Sequence, residues 1–103
     1  MRKTKTVITP TVMNNLAELG QNIKLARLRR GYPMSLICER ANISRPTLIA
    51  VEKGSPNVSM GIYAMVLNAL QNNSKELAKV MREDELGRTI QDLNIITPKK
   101  GRR

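Results

Sequence analysis

The residues best suited to chemistry in this chain lie between Ile37 and Gly54, where basic and polar side chains follow a short apolar pattern. The pattern predicts two short helices joined by a tight turn. One face of the second helix has no apolar stripe, so that face is expected to stay exposed. In a chain with 18 Lys+Arg and 8 Asp+Glu, this outline predicts a helix-turn-helix motif, whose second helix enters the major groove of DNA.

The turn itself is the most specific part of the segment. Cys38 is small enough to face a helix that crosses at nearly a right angle, and it packs as a minor hydrophobe. Asn42 occupies the position that needs φ > 0, which Asn tolerates best after Gly. Ser44 is the predicted N-cap of the second helix, and its hydroxyl is expected to accept the N–H of Thr47. The inward side chains that hold the angle are predicted to be Ile37, Ala41, Ile43, Leu48 and Val51.

Length and composition bound the fold class. A chain of 103 residues has room for one domain. It contains no Phe and no Trp, so its core must be built from Leu, Ile, Val, Met and Ala, of which Leu and Ala favour helices. We therefore expect an all-α, compact bundle of about five to six short helices. Such a core is thin on large side chains, which indicates modest stability or a core shared with a second subunit.

Charge and cysteine content bound the partners and the compartment. The net charge of +10 favours polyanionic partners. The only cysteine, Cys38, excludes an intramolecular disulfide and fits a reducing compartment. No run of residues is long enough to span a bilayer and no signal-peptide pattern opens the chain, so we expect a cytoplasmic protein with no membrane partner.

Apolar spacing and capping residues predict six helices. Thr9 caps the first, Pro10 occupies its first position, and Gly20 is interpreted as the site of a close helix crossing. Ser59, Ser74 and Asp84 are the other predicted caps. The predicted spans are Pro10 to Arg30, Met34 to Ala41, Arg45 to Lys53, Met60 to Leu70, a short fifth helix ending near Arg82, and a sixth ending near Leu93.

Composition divides the chain into three parts. Residues 1–9 form a basic arm, residues 10–94 the helix-turn-helix domain with its C-terminal dimer or partner helices, and residues 95–103 a basic tail. Both ends contain β-prone residues, at 6–9 and at 95–97. These are candidates for short terminal strands that pair with a dimer mate or dock on a partner, and disordered ends are the alternative.

From about Leu19 to Leu70 the sequence resembles the Cro/repressor-type (Xre) helix-turn-helix family. The matching residues are Arg27, the run Glu39-Arg40-Ala41-Asn42-Ile43-Ser44, the pair Thr47-Leu48, the run Val51-Glu52-Lys53-Gly54, and the helix from Ser59 to Leu70. The stretch Asp84-Glu85-Leu86-Gly87-Arg88 resembles HipB-type antitoxins, which accompany HipA-type toxin kinases. The departures are Pro33 in place of a Ser/Thr cap, Met34 in place of a DNA-bonding Gln, and Asn42 in place of the turn Gly.

The resemblance implies a lambda-repressor-like domain whose third helix reads double-stranded DNA. Arg45 is the expected base reader, since a guanidinium presents two donors to guanine O6 and N7, a pair that gives about 1–3 kcal/mol of discrimination. The alternative for Arg45 is a solvated surface charge, and for Ile49 it is packing on a neighbouring loop. The outward face is implied to be Arg45, Pro46, Thr47, Ile49, Ala50 and Lys53. The flanking phosphate contacts are expected from Ser44, Arg40, Lys53, Asn57 and Ser59.

Other residues are implied to hold the structure together. Arg27 and Glu52 stand where the family has an internal ion pair between the first helix and the end of the third. The last two helices carry more apolar side chains than the DNA-binding fold requires. We expect them to form a dimer or partner surface, with closure of a single subunit's core as the alternative; the residues are Leu77, Val80, Met81, Leu86, Ile90, Leu93, Ile95 and Ile96.

These observations predict a sequence-specific transcriptional repressor that binds an inverted-repeat operator as a homodimer. The narrower form is the antitoxin of a HipA-type toxin–antitoxin operon that represses its own promoter. The alternatives are a stand-alone Xre regulator of phage or host type and a non-specific basic nucleic-acid binder. Two Tyr in the whole chain argue against an RNA module, which stacks bases on aromatic rings. Because there is no His, the commonest general base and metal ligand is missing, and we expect no enzyme activity, metal or cofactor.

Overall fold

The computed structural model of the protein describes residues 7–71 and 74–94. Within these residues the fold is all-α, as predicted, and contains no strand. The six helices are α1 (Pro10–Arg29), α2 (Met34–Ala41), α3 (Arg45–Glu52), α4 (Met60–Ala69), α5 (Lys75–Ala78) and α6 (Glu85–Leu93). The predicted bounds of α2 are confirmed, and α1, α3 and α4 each end one residue earlier than predicted.

Side-chain caps set the starts of the larger helices. The Thr9 hydroxyl accepts a hydrogen bond from the N–H of Val12 ahead of α1, and Pro10 occupies the first turn. The Ser59 hydroxyl does the same for the N–H of Ile62 in α4. A cap of this kind is worth about 1 kcal/mol because it satisfies an orphan donor of the first turn. Both predicted caps are confirmed.

The core lies where α2 packs against α3 and α4 and where α1 packs against α3. It is aliphatic except for Tyr63, the one buried aromatic residue among the described residues. Four of the five side chains predicted to hold the turn are buried, and the fifth, Ile43, is half-buried against them. The buried apolar residues are Ile23, Ile37, Ala41, Leu48, Val51, Tyr63, Val66, Ala69 and Leu70.

Two glycines allow α1 to touch the end of α3 directly. A Cβ atom added to Gly20 would lie 2.7 Å from the carbonyl oxygens of both Val51 and Glu52, a separation that real side chains do not adopt. Gly54 follows α3 with φ 75° and faces the backbone of Leu16. The close helix crossing predicted at Gly20 is therefore confirmed.

The fifth helix differs from its prediction. The hydroxyl of Ser74 caps nothing, its backbone is already helical, and α5 ends at Ala78 rather than near Arg82. Met81 then adopts φ 66°, a left-handed conformation that a continuing helix does not contain. The predicted start of α6 is confirmed, because the carboxylate of Asp84 accepts the N–H of Gly87 at 3.1 Å.

The predicted terminal strands receive no support from the residues that the structure describes. Residues 7–9 do not belong to a strand. Thr6 and residues 95–97 lie outside the described residues, and so do Ile95 and Ile96 as predicted partner contacts. Among the helices at 7–71 and 74–94, none combines the length and the apolar character needed to cross a membrane.

Candidate nucleic-acid interface

The corner between α2 and α3 is a left-handed turn at Asn42. This residue has φ 57° and ψ 50°, which confirms the predicted positive φ. The N–H of Ile43 donates to the carbonyl of Cys38 at 3.0 Å, and Cys38 itself is half-buried against the core. This hydrogen bond satisfies a carbonyl group at the end of α2, and the turn fixes the direction in which α3 begins.

Few backbone N–H groups are free at the start of α3, because a side chain caps one and a proline lacks another. The Ser44 hydroxyl accepts the N–H of Thr47 at 3.3 Å and shares a hydrogen bond of 2.9 Å with the Thr47 hydroxyl, as the predicted cap required. Pro46 has no N–H to offer. Only Arg45 therefore keeps a free N–H in this first turn, so recognition from this end of α3 must come from side chains.

The two faces of α3 differ sharply in burial. Leu48 and Val51 are fully buried. On the opposite face, Pro46 and Lys53 are exposed and Ala50 is half-buried. Arg45 at the first position and Ser44 ahead of the helix are also exposed, and Thr47 is half-buried. In the described part of the chain, no hydrogen bond or ion pair engages the Arg45 side chain. The guanidinium at the start of the helix thus points away from the core with all its donors available.

Beside this face lies a groove between α1 and α3 that sequence reasoning missed. It has a volume of about 460 Å³ and brings Gln21 and Lys24 of α1 next to Ile49 and Lys53 of α3, with Ala17, Arg27, Met34 and Glu52 completing its lining. Ile49 is 38% exposed and forms part of this wall. The available signal was helical spacing, since Gln21, Lys24 and Arg27 follow one another at intervals of three along one face of α1.

The floor of the groove is the ion pair between Arg27 and Glu52. Both residues are more than nine-tenths buried. The pair lies where the family resemblance places it, and its hydrogen bonds raise the pKa of Arg27 above its ordinary value. Both charges are satisfied by each other, so the pair serves the fold. Within residues 7–71 and 74–94, no ion pair engages the other two cations of the groove, Lys24 and Lys53.

The loop from α3 to α4 is anchored by Tyr63. Its hydroxyl donates to the carbonyl of Ser55 at 2.7 Å, and burial raises its pKa. Asn57 is exposed on this loop, and its N–H donates to the Ser55 hydroxyl. Ser59 is exposed but its hydroxyl is used as the α4 cap, which leaves the free N–H groups of Met60 and Gly61 as the anion-directed donors at this helix end.

Arg40 also makes contacts within the fold. Its guanidinium donates to the carbonyl of Ala69 at the end of α4, at 3.0 Å. The same group lies 4.9 Å from the centre of the Tyr32 ring, within cation–π range. These contacts link α2 to α4 and to the loop before α2, but Arg40 is exposed and its contact with phosphate stays a prediction.

The apolar side chains of α5 and α6 do not close the core of the single chain. No residue of either helix is buried. Leu77 is half-buried, whereas Val80, Met81, Leu86, Ile90 and Leu93 are exposed. This finding argues against the alternative in which these residues complete one subunit, and it leaves an apolar surface without a cover among the described residues.

The described residues contain no group of three or more His, Cys, Asp or Glu side chains that would hold a metal ion. A scan against protein-family models, a search of curated proteins and a search of solved structures each found no match to the chain. Function must therefore be inferred from the side chains and their placement.

Proposed function

We propose that the chain is a cytoplasmic, sequence-specific, double-stranded DNA-binding repressor that acts as a homodimer. The observation that carries the proposal is the free guanidinium of Arg45 at the first position of α3. The helix behind it is capped by Ser44 and buried along its other face at Leu48 and Val51. A preset arginine on a rigid helix is the arrangement that major-groove recognition uses.

In this proposal the α3 face divides the work of binding. Arg45 pairs with guanine O6 and N7, while the Pro46 ring, the Thr47 methyl group and Ala50 contact thymine methyl groups. Lys53 and the free N–H groups at the start of α4 contact phosphates, which fixes the position of the protein without reading sequence. Arg27 and Glu52 hold α3 in place and touch no base.

Self-association supplies the specificity that one short helix lacks. Two copies place their α3 helices in successive major grooves, about 34 Å apart, on an inverted repeat. The exposed apolar side chains of α5 and α6 support a protein surface at this end of the chain, because water-exposed apolar patches mark interfaces.

The narrower proposal is an antitoxin that binds a HipA-type toxin kinase and represses its own operon. It is supported by the resemblance of residues 84–88 and by the apolar surface of α6. Co-purification of the full chain with the product of the adjacent reading frame tests it. If that product does not bind, the stand-alone regulator is favoured instead.

The main proposal is tested by selecting bound duplexes from a random pool and then footprinting the enriched sequence. We expect an inverted repeat whose half-sites lie one helical turn apart. Equal affinity for the selected duplex and for random duplex at fixed salt would contradict the proposal and favour the non-specific basic binder.

A further inference from the structure

An apolar groove runs along α1 on the side away from α3. It consists of two adjoining pockets of about 280 and 330 Å³, both lined by Leu19 and Leu77. One extends to Leu16, Met60 and Tyr63, and the other to Ala26, Leu67, Leu70 and Val80. From the α5 segment, Glu76, Leu77 and Val80 line it, and of these only Leu77 is half-buried.

The apolar face of α6 has the spacing of this groove. Its three large side chains, Leu86, Ile90 and Leu93, are 72%, 49% and 79% exposed. They follow one another at intervals of four and three residues, as do Leu19, Ile23 and Ala26 along α1. Seven residues of helix span about 10.5 Å, so the two rows have the same length and the same periodicity.

Charge directs α6 toward another copy of the chain rather than toward DNA. Residues 7–71 contain seven basic and three acidic residues, whereas residues 74–94 contain four basic and five acidic residues. At 100° per residue, Glu85 and Asp92 flank one side of the α6 apolar face. On α1, the exposed Arg29 and Arg30 follow Ala26 by three and four residues and carry the charge opposite to that of Glu85 and Asp92.

We propose that α6 of one copy docks in the α1–α4 groove of a second copy, and that the second copy returns the same contact. This inference rests on the proposed homodimer and names its interface. The exchange covers both apolar surfaces of each chain and forms the same contact twice, which is how a two-fold interface closes on itself. In the described part of the chain, no residue of α6 lines the groove of its own copy, and the left-handed Met81 and Asp84 stand between α5 and α6.

Cross-linking tests the contact directly. Two full-length variants are made in a Cys38→Ala background, one with Ile90→Cys in α6 and a purification tag, the other untagged with Asn22→Cys or Ala26→Cys in the groove. The variants are mixed and treated with a short bismaleimide. We expect tagged–untagged heterodimers from the groove cysteines. Lys24→Cys on another face of α1 and Gln91→Cys on the polar face of α6 are the matched controls and should give at least tenfold less product.

Each other outcome overturns the proposal. Ile90→Cys dimers without heterodimers would show α6 packing on α6. A cross-link found only within a double-cysteine chain would show α6 docking on its own groove. Sedimentation equilibrium supplies a second measurement: Ile90→Glu should weaken self-association at least tenfold, while Gln91→Glu, with the same charge change, should leave it unchanged.

The same variants separate this inference from the DNA-binding proposal. Ile90→Glu is expected to keep the wild-type affinity for a single half-site and to lose the advantage of the full inverted repeat. A protein that dimerises through the groove but binds no duplex contradicts the proposed function alone. A protein that binds its operator with equal strength as Ile90→Glu and as wild type contradicts the interface.

Discussion

Arg27 donates hydrogen bonds to both carboxylate oxygens of Glu52, from Nε to Oε2 at 2.7 Å and from Nη2 to Oε1 at 3.1 Å. Its third nitrogen, Nη1, donates to the carbonyl of Tyr32 at 3.1 Å. One side chain of α1 therefore ties together the last residue of α3 and the loop that leads into α2. This contact from α1 sets the angle between α2 and α3, the two helices of the motif.

Removing one partner should be costly. Arg27→Ala leaves a buried carboxylate without its cation, and breaking a buried pair in this way typically costs about 3–5 kcal/mol. Urea denaturation monitored by far-UV circular dichroism measures the loss. The matched control is Glu76→Ala, which removes an exposed pair with Lys79 and should cost less than about 1 kcal/mol. Equal losses for the two variants would show that burial of the Arg27 pair contributes nothing.

Arg45 and Lys53 should differ in what they do to specificity. Arg45→Ala is expected to cost about 1–3 kcal/mol on the selected operator and much less on random duplex. Lys53→Ala should weaken binding to both and reduce the salt slope by about 1. Fluorescence anisotropy over a salt series measures both effects. If the two variants behave identically, the proposed roles of Arg45 as a base reader and of Lys53 as a phosphate contact are contradicted.

Lys24 is expected to contact phosphate although it belongs to α1. It lines the groove beside Ile49 and Lys53, so Lys24→Ala should weaken operator and random duplex equally and flatten the salt dependence. The matched control is Lys75→Ala, which removes the same charge from exposed α5. If both substitutions lower affinity by the same factor, Lys24 acts only through net charge.

The helical glycines Gly20 and Gly61 should respond oppositely to a methyl group. Gly20→Ala forces a Cβ into the backbone of α3, and such overpacking costs about 1–3 kcal/mol. Gly61→Ala meets only the Ser59 hydroxyl at 3.8 Å and should stabilise α4 by up to about 1 kcal/mol. Thermal unfolding gives both values. A neutral Gly20→Ala would show that α1 and α3 do not touch as described.

Tyr63 should make stability fall at alkaline pH. Burial raises its pKa in the native state, so near pH 10 the folded protein retains a proton that the unfolded chain has lost. The contribution is complete below the ordinary tyrosine pKa, and it is lost as pH rises from that value through the raised pKa of the native state. Tyr63→Phe should lose about 1 kcal/mol at neutral pH with the hydrogen bond to Ser55 and show a shallower alkaline decline. Unfolding by urea from pH 8 upward measures both; an unchanged slope would contradict the assignment.

Local chemistry was sufficient to predict most of the fold. Ser44, Ser59 and Thr9 predict helix starts, because a short hydroxyl side chain can accept a hydrogen bond from a first-turn N–H whatever surrounds the helix. Asn42 predicts the turn between α2 and α3, because few residue types tolerate φ > 0. Neither signal depends on what lies across the core, so the sequence specifies both without knowledge of the tertiary structure.

Apart from the Arg27–Glu52 pair, which the family resemblance implied, and the crossing at Gly20, the long-range contacts were not predictable from the sequence. Nothing near Arg40 reveals that the end of α4 will present the carbonyl of Ala69 to it. Gln21 and Lys24 face α3 only because Gly20 lets the two helices approach. The length of α5 was also missed, since so short a helix has little intrinsic stability and its end is decided by tertiary context.

The contact of α1 with the end of α3 is backbone against backbone at Gly20 and Gly54. Ordinary helix pairs are separated by a layer of side chains whose rotamers absorb small displacements. No such layer of side chains separates the two helices where these glycines meet the facing backbone. A tilt of the first helix therefore presses directly on the backbone at the end of the third, so an event that tilts the first helix acts on the helix that carries Arg45.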